Sequence, residues 1–111
     1  MKKIITGLMV LASTQFALAT VTPTTTIKDM FVYETYVVVK MANKHTNPDS
    51  CTKAGADSFI YMSTTGQGGA RMYSAILSAY VSGKKVRLGY NLCGTWGTGT
   101  IPKAYGVTMV K

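Results

Sequence analysis

ARMYSAILSAYVSGKKVRLGYNLC, residues 70–93, decides how the rest of the chain is read. Met72, Ala75, Ile76, Ala79 and Tyr80 recur at helical spacing, and Leu77 and Val81 widen that apolar face. The pattern predicts a helix over 70–82 that stops at Gly83, a residue suited to the left-handed position after a helix. The stripe left over is Arg71, Ser74, Ser78 and Ser82, where a solvent-facing helix normally carries long charged side chains. Two readings stay open: a second cover for the helix, supplied by another copy of the chain, or an exposed serine-rich face. From Lys84 the period changes. Val86, Leu88, Tyr90 and Leu92 alternate with Lys85, Arg87, Gly89 and Asn91, which predicts a half-buried strand with a basic outer face ending at Cys93.

Working back from this unit, Thr64 and Gln67 have the spacing of a capping box for the helix. Residues 58–63 (SFIYMS) read as a short strand that is apolar on both sides, hence covered on both. The polar stretch 42–57, with Asn47-Pro48-Asp49 and Gly55, reads as a loop. Residues 27–41 are dense in β-branched and aromatic residues, with Phe31, Tyr33, Thr35, Val37 and Val39 on one alternating face. That run is long for one strand, so either a coiled, bulged strand or two strands bent near Glu34 to Tyr36 is expected. Residues 20–26, Thr-rich with Pro23, suit an extended edge. Forward from the unit, 93–102 (CGTWGTGTIP) reads as a glycine-rich loop, and 103–110 as a closing strand bearing Tyr105, Val107 and Met109 on one face. The expectation is a mainly β domain with one helix, a small Greek-key barrel over residues 20–111.

The first nineteen residues follow a different logic. A charged start (Lys2, Lys3), a short apolar run (Ile4 to Ala12) and Ala17-Leu18-Ala19 have the form of a secretory signal peptide cleaved after Ala19. This predicts a secreted or periplasmic protein that does not span a membrane, since the apolar run is well short of ~20 residues. In an oxidising compartment Cys51 and Cys93, the only cysteines, are expected to pair, stabilising the fold by ~4 kcal/mol on the chain-entropy model. The chain carries a net charge of +8 with only 4 acids, which favours an anionic partner or surface, or simply keeps the protein soluble. Export argues against nucleic acid as that partner.

No motif for catalysis, metal or cofactor emerges. A hydrolase triad needs a histidine beside a nucleophile and an acid, and His45, the only histidine, sits in the polar loop. Two cysteines and one histidine cannot complete a zinc site. Gly66-Gln67-Gly68-Gly69 lacks the lysine of a phosphate loop. The best site candidate is Trp96, whose indole offers an apolar face to a sugar ring, with Thr95, Thr98 and Asn91 as hydrogen-bonding neighbours. The competing reading has Trp96 plugging the barrel end or filling a subunit contact. Lys84, Lys85, Arg87 and Lys103 form a basic group that suits an acidic sugar, lipid headgroups, a partner subunit, or plain solvation.

MYSAILSAYVSGKKVRLGYNLC resembles the helix, glycine, strand and cysteine segment of the B subunits of A-B type bacterial toxins. It is closest in pattern to Shiga toxin B and more distantly similar to the subtilase cytotoxin and cholera toxin B subunits. The shared features are the small, apolar helix from Met72 to Val81, the Ser78-Ala79 pair, Gly83 and Cys93. The resemblance implies an OB-fold, a homopentameric ring whose helices line the channel with Arg71, Ser74, Ser78 and Ser82, and binding to host-cell glycans. It also implies room for a catalytic A subunit as partner. Trp96 corresponds to a tryptophan that contacts galactose in the cholera toxin B family.

Overall fold

The computed structural model of the chain describes residues 20–111; the expected signal peptide, 1–19, lies outside the described residues. Over the described residues the protein is mainly β with a single helix: β1 (Thr20–Val21), β2 (Ile27–Val32), β3 (Tyr36–Met41), β4 (Phe59–Ser63), α1 (Gly66–Ser82), β5 (Val86–Trp96) and β6 (Gly99–Met109). The strands form one six-stranded sheet in the order β1-β5-β6-β4-β3-β2. Every pairing is antiparallel except β4 with β6, where Tyr61 lies opposite Lys103.

The two edges of this sheet belong to one continuous stretch. Thr20 and Val21 pair with Tyr90 and Gly89, Thr25 bridges Val86, and Ile27 then pairs with Met41 on β3. Residues 20–32 thereby close the sheet on itself. The threonines explain how a polar stretch lies buried there. Thr22 Oγ1 accepts from the Leu88 N–H at 3.0 Å, and Thr25 Oγ1 accepts from the Asn43 N–H at 3.0 Å, so both buried hydroxyls have a partner.

Inside the closed sheet sits an aliphatic core of Val37, Val39, Met41, Ile60, Met62, Val86 and Leu88, capped by Met72, Tyr73, Ile76 and Ala79 of α1. The helix begins at Gly66, earlier than the expected 70, and the expected Thr64 box does not form: Thr65 is the N-cap residue and makes no side-chain cap bond. The stop is as expected. Gly83 takes φ 69° and donates its N–H to Ala79 O, a left-handed cap that costs glycine nothing sterically. Tyr80, expected on the buried face, is exposed and Tyr73 takes its place, because the seam against the sheet runs through 72, 73, 76 and 79.

Three further expectations shift for physical reasons. Residues 27–41 take the second of the two expected forms, two strands joined by a hairpin whose tip is Glu34-Thr35, with the Tyr33 N–H donating to Tyr36 O at 2.9 Å, but the expected common face of Phe31, Tyr33, Val37 and Val39 is split. That turn pairs Phe31 with Val38 and Val32 with Val37, so odd positions before it share a face with even positions after it. Val37 and Val39 therefore enter the core, while Phe31 and Tyr33 lie outside. The stretch 93–102 is no loop: β5 runs on to Trp96 and turns at Gly97-Thr98 into β6, with Thr95 opposite Thr100. Gly94, which looks like a loop residue in sequence, lies under the Tyr61 ring, where a Cβ would come within 2.3 Å of Cγ. Finally, a register irregularity between Asn91 and Cys93, with Leu92 at φ 59°, flips Leu92 outward to 64% exposure after Val86, Leu88 and Tyr90 have pointed in.

Cys51 and Cys93 form the expected disulfide, with Cα atoms 5.8 Å apart and a sequence separation of 42. It ties the 42–57 loop across the outer face of the sheet. Strand β4 is covered on both sides as expected: Ile60 and Met62 inward, Phe59 and Tyr61 outward beneath that loop's layer.

Candidate functional site: an aromatic outer face

The outer face of the sheet carries a second, smaller core of Val38, Cys51, Ala56 and Ile101, and around it gather Tyr36, Phe59, Tyr61 and Trp96. Two hairpins deliver the outermost rings. The β2–β3 hairpin brings Phe31 and Tyr33, and the β5–β6 hairpin brings Trp96, the last residue of its strand. Trp96 packs at a tilt between Phe59 and Phe31, with ring centroids 5.0 Å and 5.5 Å away and interplanar angles of 52° and 53°. Its Nε1–H donates to Tyr33 Oη at 3.1 Å, which satisfies the indole and links the two hairpins. Tyr33, Tyr36 and Tyr61 continue as a stack with centroid spacings of 4.7 Å and 4.8 Å. Phe31 and Tyr33 remain 38% and 42% exposed, so the platform has a solvent side.

Two cations flank the rings. Lys53 Nζ lies 5.0 Å from the Trp96 centroid and Lys40 Nζ 5.7 Å from that of Phe59, both within cation–π range. Lys53 is fixed by its backbone, whose N–H donates to Thr100 O at 2.9 Å. Thr52 and Thr100 clasp the same place, each N–H donating to the other's Oγ1. The chemistry on offer is an aromatic cluster spanning two hairpins, edged by a phenol hydroxyl and ammonium groups.

The residues named from sequence are only partly gathered here. Trp96 is central and Thr98 sits in the adjoining turn. Thr95 alternates to the opposite side of β5 from Trp96. Asn91 lies opposite Lys103, five positions back along the strand and roughly 16 Å away. The polar groups at the indole are instead Tyr33 Oη and Lys53 Nζ. Phe31, Tyr33, Phe59, Tyr61 and Lys53 were missed as site residues, although Phe31-x-Tyr33 and Phe59-x-Tyr61 repeat one period-two aromatic pattern that hinted at a shared face.

On α1, Arg71, Ser74, Ser78 and Ser82 are all exposed, and Ser82 Oγ donates to Ser78 O at 2.7 Å. Beside them Leu77, Tyr80 and Val81 are also exposed, Val81 to 77%. His45 is buried, with Nδ1 2.9 Å from Thr46 O and Nε2 3.1 Å from Phe59 O, and its ring tilted against Tyr90. Burial lowers its pKa below the ordinary 6.5, in spite of the two main-chain oxygens and Asp57, which pull the other way. It pins the 42–57 loop to β4. Among the described residues no three His, Cys, Asp or Glu side chains gather as a metal cage, and no helix is long and apolar enough to cross a membrane.

The chain matches no family model, no curated protein and no solved structure.

Proposed function

We propose that the protein is a secreted, non-enzymatic OB-fold module that binds carbohydrate through its outer aromatic face, acting as the lectin-like cell-binding ring of a toxin-like assembly. The observation that carries the reading is the pair of partly exposed rings, Phe31 and Tyr33, locked to Trp96 where two hairpins meet. Sugar rings stack on such surfaces, and Tyr33 Oη and Lys53 Nζ offer polar contacts at its rim. In favour of the OB-fold are the strand order, the helix between β4 and β5, and the lone parallel pairing of β4 with β6. In favour of a ring, a pentamer by the resemblance, is the second apolar strip of α1, where Leu77, Tyr80 and Val81 lie exposed beside Ser74 and Ser78. A ring would multiply weak sugar contacts into useful avidity.

A second reading, a periplasmic structural or protein-binding module without a sugar site, is favoured by one detail: the indole N–H of Trp96 is already used within the chain. A glycan array on the purified protein separates the two. Binding by wild type that is lost in Tyr33→Ala and Trp96→Ala supports the lectin, whereas equal binding by wild type and variants, or none by any, sinks it. Light scattering gives the particle mass, and a monomer at micromolar concentration ends the ring. A saturable signal with a labelled oligonucleotide at physiological salt would redirect the aromatic face to single-stranded nucleic acid.

A further inference from the structure

At the far end of β5 from Trp96 the surface is hollowed by an open cavity of about 510 Å³ lined by Gly83, Lys84, Lys85, Val110 and Lys111. We propose that this hollow is a binding site for a phosphate-bearing ligand, separate from the aromatic face and independent of whether that face binds sugar. The two ends of β5, Val86 and Trp96, are ten residue steps apart, roughly 33 Å for an extended strand.

The lysines are brought together by backbone. Gly83 turns the chain sharply out of α1, and the Lys84 N–H still donates to Ala79 O at 3.1 Å, which fixes the first lysine against the helix end. The Val110 N–H donates to Lys85 O at 3.0 Å, so the two chain segments carrying the lysines run side by side. Three of the five lining residues are therefore lysines, two of them on a fixed main chain, with glycine and valine between them.

No acidic side chain lines the hollow. The chain has only 4 acids. Asp29 faces Lys40 across β2 and β3, Glu34 is in the hairpin tip, Asp49 accepts from the Leu92 N–H at 2.7 Å, and Asp57 lies 3.9 Å from Lys44. None lines the cavity. The C-terminal end of α1 does present negative charge, but a helix terminus is worth only about half an elementary charge. That half charge, even with a chain-end carboxylate added, leaves the hollow positive. The volume falls within the ~300–1,000 Å³ common for small-ligand sites, too large for a bare ion alone and suited to a phosphate attached to a sugar or a headgroup. Flexible point charges such as lysine bind phosphate without demanding one orientation.

The test uses titration calorimetry and amide NMR on the full exported protein. The probes are pyrophosphate, glucose 6-phosphate, and vesicles of phosphatidylcholine with or without phosphatidylglycerol. The expected result is saturable binding with shifts centred on Gly83 to Lys85 and on Val110 and Lys111, weakening as salt rises. Affinity should fall at least tenfold in Lys84→Ala/Lys85→Ala. Lys103→Ala, an equally exposed lysine outside the hollow, should bind as wild type. Both sets of substitutions sit on exposed side chains, and circular dichroism confirms the fold. Binding of the soluble phosphates assigns a free ligand, and binding confined to phosphatidylglycerol vesicles assigns a headgroup. Either supports the site when it is lost in the double variant. No binding of any probe, or equal losses in Lys103→Ala and in the double variant, overturns it.

Discussion

The two faces of the closed sheet are built from different materials. Inward, Val37, Val39, Ile60, Met62, Ile76, Val86 and Leu88 have no exposure at all, and the packing is mostly aliphatic around the buried ring of Tyr90. Outward, the buried centre is four small or aliphatic residues, and the volume around it is supplied by aromatic rings, two lysines and a disulfide. The contrast teaches where the protein keeps its stability and where it keeps freedom. A mostly aliphatic interior, whose one fully buried phenol, Tyr90, is already bonded to Thr46, leaves no free polar group, and any change there is felt by the whole domain. The outer face relies on a covalent tie and on ring stacking, which leaves edges and hydroxyls available to a ligand.

Breaking the outer tie should have the largest effect. Cys51→Ser/Cys93→Ser is expected to cost about 4 kcal/mol for a loop of this length, read as a lowered urea midpoint, and to free the 42–57 loop from the aromatic face. Next comes the inner face: Ile60→Ala, at a fully buried position, should cost about 3 kcal/mol by denaturant unfolding, with no change in ligand specificity. If it cost as little as a surface change, the distinction between the faces would fail. The outer rings should behave the opposite way. Tyr33→Ala is expected to lower stability by only about 1 kcal/mol, because the ring is partly in water, and yet to remove the proposed glycan binding.

The smallest effect is set by pH at the junction of the two layers. His45 has a folded-state pKa below its unfolded value of about 6.5, so the unfolded chain binds the extra proton first. Stability from this group is therefore complete above pH ~6.5 and is lost as pH falls from there through the lower folded value. Urea midpoints at pH 7.5, 6.5 and 5.5 should decline in wild type and stay flatter in His45→Gln.

The parts of the fold legible in the sequence were those fixed by local chemistry. Gly83 ends the helix where only a left-handed residue fits, and Val86, Leu88 and Tyr90 alternate inward as their spacing indicates. The two-sided burial of β4 and the Cys51–Cys93 pairing were equally legible. What escaped was non-local. Glycine in Gly94 signals a loop when read along the chain, but its reason is the Tyr61 ring that crosses it from another strand. The face of Phe31 and Tyr33 depends on the parity of a turn whose length has to be known first. Trp96 stands out in the sequence as a candidate by its indole in a glycine- and threonine-rich stretch, whereas its partners Phe31, Phe59 and Tyr33 arrive from two other strands and are visible only through pairing.

The stretch from Thr20 to Val32 finally bears on the order in which the molecule is made. Thr20 meets its partner only at Tyr90, and Thr25 only at Val86, so the seam cannot zip until most of the polypeptide has been delivered. The strand that seals one edge of the sheet is therefore made first and seated late, after the helix and the strand that receives it have been synthesised.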